Sequence, residues 1–106
     1  MSDALVVLVT TPSPEEAARI ARALVEERLA ACGNVVPGLR SIYRWEGRVE
    51  DEAEALLILK TTAERFEAMR ARTVDLHPYD TPEVLALPVA AGHAPYLAWL
   101  AASVRS

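Results

Sequence analysis

The sequence predicts an α+β fold of the split β-α-β type, with two helices packed on one face of a four-stranded antiparallel sheet. Three observations predict it. The segments alternate as strand, helix, strand, strand, helix, strand; helix-capping signals stand before both helical segments; and apolar spacing switches between β-branched runs and a three-to-four-residue repeat. A short closing helix follows the last strand. With 106 residues, the chain suits one domain spanning 1–106 with an ordinary core.

Residues Ala4 to Thr10 read ALVVLVT, an unbroken apolar run expected of a central strand covered on both faces. Ser13, Pro14 and Glu16 supply a capping hydroxyl, a first-turn proline and a capping-box glutamate. Ala17, Ile20, Ala21 and Leu24 then repeat at helical spacing, which predicts a helix to about Ala31. From Gly33 to Trp45 the chain becomes β-branched and aromatic, with Pro37 and Gly38 marking a bulge in an overlong strand. A polar turn is expected from Glu46 through Asp51, and AEALLILKT returns as the partner strand. Thr61 and Glu64 repeat the capping spacing before a helix over 63–76, which Pro78 ends. Val84 to Val89 forms the fourth strand, and Pro95 opens the last helix with Tyr96, Leu97, Leu100 and Val104 inward and His93 just before it.

Two helices leave the other sheet face bare, although the hairpin and final strand carry apolar residues on both sides. That pattern, with a projecting edge strand, predicts an oligomer. Eleven Lys and Arg against 15 Asp and Glu give a net charge of -4, which disfavours nucleic acid and anionic membranes as partners. Cys32 stands alone, no apolar run reaches membrane-spanning length, and Met1 to Thr10 carry Asp3 and no basic residue. A cytoplasmic protein is expected.

The segments AACGNVVPGLRSIYRWEG, ILKTT, LHPYDTPEV and YLAWL together resemble the CutA family of divalent-cation tolerance proteins, over nearly the whole chain. The resemblance implies a ferredoxin-like homotrimer, cytoplasmic in bacteria, linked to copper and other divalent ions and similar in architecture to PII signalling proteins. Cys32 and His77 are the candidate ligands for Cu²⁺, with Zn²⁺ as an alternative, since thiolate and imidazole suit late transition metals. Val9 and Leu76 stand where some relatives carry a further cysteine and histidine. Cys32 also reads as a small buried residue at a helix-to-strand junction.

Ser41, Tyr43 and Trp45 alternate onto one strand face, and Glu54, Leu56, Ile58 and Lys60 onto one face of the return strand. Tyr43, Trp45 and Lys60 suit either a ligand cleft or an intersubunit core with a snorkelling lysine. The resemblance favours a cleft between subunits in which Tyr79, Asp80 and Glu83 join them, a polar site with both charge signs. Glu46, Glu50, Asp51, Glu52 and Glu54 read as a solvated hairpin tip or as weak ligands for hard divalent ions. No GxSxG, phosphate loop or HExxH motif occurs, so no enzyme activity is expected. Metal tolerance through copper binding is the leading function; binding of a small anionic metabolite or nucleotide through Lys60, and a scaffold without a ligand, are the alternatives.

Overall fold

A computed structural model describes residues 3–105; Met1, Ser2 and Ser106 of the predicted 1–106 domain lie outside the described residues. The elements are β1 (Ala4–Thr11), α1 (Pro14–Glu26), β2 (Cys32–Trp45), β3 (Arg48–Thr62), α2 (Ala63–Leu76), β4 (Leu85–Pro88) and α3 (Ala94–Ser103). The sheet order is β2-β3-β1-β4 and every pair is antiparallel, as the split β-α-β reading requires. Helices α1 and α2 cover one face. Ala17, Ile20, Ala21 and Leu24 of α1 pack with Met69 of α2 against Val7, Val9, Leu57 and Leu59. Gly33 is needed at the start of β2, because a Cβ there would come within 2.8 Å of the Ala21 methyl and 3.2 Å of Leu59. A second, smaller cluster seats α3 through Leu100 and Val104 on Ala4 and Ala31.

Several boundaries differ from expectation for local reasons. The Ser13 hydroxyl accepts the Glu16 amide at 3.2 Å as predicted, but α1 stops at Glu26 because Arg28 takes a left-handed φ of 60°. The amides of Leu29 and Ala30 then fold back onto the Leu24 carbonyl, and the apolar segment read as helix becomes a buried link. Thr61 is not a cap. It belongs to β3 and donates its hydroxyl to the Leu29 carbonyl at 2.8 Å, while Thr62 holds the cap position of α2 without a side-chain bond. Strand β4 has only four residues, and Val84 packs beneath it on the core. Tyr96 faces outward rather than inward and lies 5.4 Å from Trp99, ring to ring.

The hairpin departs most. Trp45 pairs with Arg48, so Glu46 and Gly47 alone make the turn, with φ of 50° and 78°. Positive φ at both central residues is the type I′ geometry that matches strand twist. Residues 48–51, expected in the turn, are strand. At Pro37 and Gly38 the register shifts from Val36↔Leu56 to Leu39↔Glu54, so one extra β2 residue is accommodated with Gly38 at φ 79°. The shift exchanges the alternation, and Ser41, Tyr43 and Trp45 join the sheet face that carries Cys32, Asn34 and Val36. Beyond Ala55 the hairpin passes the end of β1 and projects as a two-stranded arm.

The sheet face away from the helices is apolar and open. Val6 and Leu8 of β1 lie there beside Ile58 of β3 and Leu85 and Leu87 of β4 by register. Strand β1, expected to be covered on both faces, is buried on one and half-buried on the other.

Candidate functional site

The open face carries different chemistry at its two ends. At one end Cys32, the first residue of β2, is half-buried and pairs in register with Lys60. The Lys60 ammonium donates to the Asn34 amide oxygen and lies 3.9 Å from Cys32 Sγ. At the other end the hairpin arm and the α2–β4 loop enclose a groove of about 730 Å³. The arm contributes Tyr43 and Trp45 from β2 and Glu50, Glu52 and Glu54 from β3; the loop contributes Tyr79, Asp80 and Glu83. Thr10 lies at the junction.

Strand alternation explains the carboxylate wall. With a turn of two residues, Glu50, Glu52 and Glu54 all point to the face of Tyr43 and Trp45, while Asp51 points to the opposite face and pairs with Arg40 at 2.7 Å. Two phenols bind the wall: the Tyr43 hydroxyl donates to Glu52 at 2.5 Å, and the Tyr79 hydroxyl to Glu54 at 2.7 Å. The hydrogen bond to Glu52 pushes the Tyr43 phenol up to about 12. Burial, followed by the bond to Glu54, holds the Tyr79 phenol well above the ordinary tyrosine value. The carboxylates of Glu50, Asp80 and Glu83 take no side-chain hydrogen bond or ion pair among the described residues.

His77 sets the loop. It is the C-cap residue of α2, only 7% exposed, and its ring lies 4.7 Å from the Tyr79 ring. The Tyr79 amide donates to Nδ1 at 3.1 Å, so the ring carries its proton on Nε2, which donates to the Thr10 carbonyl at 2.8 Å. His77 is therefore a buried brace between β1 and the loop. Metal coordination through either nitrogen requires that one of these bonds be given up.

Of the predicted ligand-binding residues, the structure brings together Tyr43, Trp45, Tyr79, Asp80 and Glu83. Lys60 is elsewhere, six residues along β3 from Glu54, or roughly 20 Å of strand. Among the described residues of the single chain, five carboxylates line the groove and no lysine or arginine does, so the mixed charge signs implied for a cleft between subunits are not met within one chain. Arg48, opposite Trp45 at the tip, is the nearest cation on that face by register but is not part of the lining. Cys32 and His77 do not meet, since Cys32 sits at the Val6 end of β1 by register and His77 binds Thr10. Among the described residues, no group of three or more His, Cys, Asp or Glu side chains converges to hold a metal ion. Glu50, Glu52 and Glu54, which the sequence presents as a solvated hairpin tip or as weak ligands for hard divalent ions, line the groove with Tyr43 and Trp45, and their two-residue spacing after Gly47 carries that signal.

The family model described as CutA1 divalent ion tolerance protein matches residues 5–103. The divalent-cation tolerance protein CutA of Thermus thermophilus is 58% identical over 95 residues, covering 90% of this chain and 92% of the relative. A solved structure of the divalent cation tolerance protein Cut A1 from the same organism aligns with a TM-score of 0.94 and 54% identity, over 96% of this chain and 99% of that one. The structure described as the periplasmic divalent cation tolerance protein CutA from Archaeoglobus fulgidus aligns at 0.93 with 38% identity, over 96% and 99%.

Proposed function

The chain belongs to the CutA1 divalent ion tolerance family, and from that premise we propose that it is a non-enzymatic homotrimer that binds divalent cations, Cu²⁺ foremost, in support of metal tolerance. The observation that carries this reading is the sign of the groove, whose charged lining is entirely carboxylate. Such a surface concentrates cations and repels anions. Copper leads because it heads the stability order of the divalent first-row ions for nitrogen and oxygen donors, with Zn²⁺ behind it. His77 is the imidazole nearest the groove, since both of its hydrogen-bond partners, Thr10 and Tyr79, line it. It binds Cu²⁺ by exchanging one of those bonds for the metal, with Asp80 and Glu83 as neighbouring carboxylates. Cys32, at the far end of the face, is a separate and weaker thiolate candidate.

The trimer reading draws on the open apolar face and on the projecting arm, whose Trp45 is 48% exposed in the single chain. The non-enzymatic reading draws on the phenols, which stay protonated far into the alkaline range and are not nucleophiles at neutral pH. Cytoplasmic residence is part of the proposal; among the described residues no helix is long and apolar enough to cross a membrane. An anionic metabolite or nucleotide, the alternative, would meet no cation in the groove, because Lys60 is held by Asn34 at the other end.

Calorimetric titration with Cu²⁺ tests the reading. His77→Ala should weaken binding at least about ten-fold while Cys32→Ser changes it little, and acidification should weaken it because protons compete for the imidazole. Undiminished binding by His77→Ala removes His77 from the site. No Cu²⁺ binding by the parent chain leaves the scaffold reading.

A further inference from the structure

The hairpin arm carries apolar side chains on both faces, and the chain itself covers neither. By register Tyr43, Trp45 and Glu50 share the front, which continues the open side of the sheet, while Arg40, Ile42, Arg44 and Val49 share the back. Ile42 and Val49 are 66% and 65% exposed, the highest values among the large apolar side chains of the described residues. Neither apolar cluster includes a residue of 37–54, so α1 and α2 do not shelter them. A two-stranded hairpin is marginal in water without a surface to pack on. Covering the open face accounts for Trp45 and leaves Ile42 and Val49 wet.

The two faces also differ in charge. On the front Glu50, Glu52 and Glu54 outnumber Arg48, and on the back Arg40 and Arg44 outnumber Asp51. Asp51 is taken by Arg40 at 2.7 Å, whereas the Arg44 guanidinium makes no side-chain hydrogen bond or ion pair among the described residues. Front against front would oppose carboxylates, and back against back would oppose guanidiniums. Front against back is the complementary arrangement.

We propose that the arms of neighbouring copies stack front to back, with Ile42 and Val49 of one arm on Tyr43 and Trp45 of the next and Arg44 facing Glu50. Such a contact is heterologous, and three of them close a ring in which every arm has both faces covered. The inference rests on the trimer reading and deepens it, because it adds a contact surface that β1 and β4 do not supply. It uses the arm wall of the groove; Asp80 and Glu83 stand on the loop wall.

Sedimentation of the full chain over a dilution series tests the stacking, with circular dichroism to check that each variant keeps its fold. Ile42→Ser with Val49→Ser, which touches neither apolar cluster, should weaken assembly at least about ten-fold. Arg44→Glu should weaken it about ten-fold, and adding Glu50→Arg should restore it to within about three-fold of the parent. Arg44 and Glu50 point to opposite faces of their own arm, so that rescue acts between copies. A trimeric parent whose assembly ignores the apolar pair or Arg44→Glu, or whose loss the double reversal fails to rescue, overturns the stacking alone. A monomeric parent overturns the trimer reading as well.

Discussion

The two faces of the sheet are built from the same kinds of side chain and end in opposite states. On the helix side Val7, Val9, Leu57 and Leu59 are wholly buried. On the other side Leu85 and Leu87, one position out of phase with Ala86, stand 58% and 48% exposed. Burying a leucine is favourable by about 1.5–3 kcal/mol, so the open face holds back stabilisation that a second surface would release. The difference separates what holds one chain together from what the chain offers to others. The covered face is complete in sequence, since α1 and α2 supply its partners. The open face is apolar, and α3 covers it only at the Ala4 end.

Breaking the covered face should give the largest effect. Leu57→Ala removes a fully buried side chain beneath α1 and should cost about 2–5 kcal/mol of folding stability, read from denaturant unfolding. Trp45→Ala should act on the other side of the comparison, weakening assembly by about 2–4 kcal/mol in sedimentation while the fold persists. Trp99→Ala should matter less to assembly. Gly33→Ala forces a methyl to within 2.8 Å of the Ala21 Cβ and should cost about 1–3 kcal/mol in thermal or chemical unfolding.

The smallest effect is expected in the groove. Tyr79→Phe removes the hydrogen bond to Glu54, and should cost at most about 1 kcal/mol because the pair is partly solvated. Its pH signature is more telling. The phenols of Tyr43 and Tyr79 are raised above the unfolded value of about 10, so the stability they contribute is complete below that pH. It is lost as pH rises through the folded value, about 12 for Tyr43. Absorbance titration near the tyrosinate band should show two late-ionising tyrosines, and Tyr79→Phe should leave one; ionisation of both at the ordinary value contradicts the phenol–carboxylate bonds.

Sequence patterns locate the covered face more fully than the groove, for a physical reason. Ala17, Ile20, Ala21 and Leu24 repeat at the helical period, and all four are buried. Local periodicity suffices there because the helix shows one stripe to one sheet. The groove depends on register. A turn of six residues, 46–51, would take Glu50 out of the strand, whereas the turn of two pairs Glu50 with Tyr43 and carries Glu52 and Glu54 on the same face. Lys60 shares the face of Tyr43 and Trp45, yet strand length separates it from them, and face membership alone does not give distance. The neighbours Pro78 and Asp80 suggest a polar loop around His77; its burial comes from the Thr10 carbonyl, 67 positions away in the chain. The bulge at Pro37 and Gly38 is legible from composition, but its consequence, the exchange of faces that brings Tyr43 and Trp45 round, needs the pairing.

The contrast between the faces turns on whether copies of the chain cover the open one, and light scattering of the purified protein at micromolar concentration measures this most directly. The account predicts a particle of three times 11.6 kDa. A well-folded monomer of 11.6 kDa, stable with Leu85, Leu87 and Trp45 in water, would contradict it.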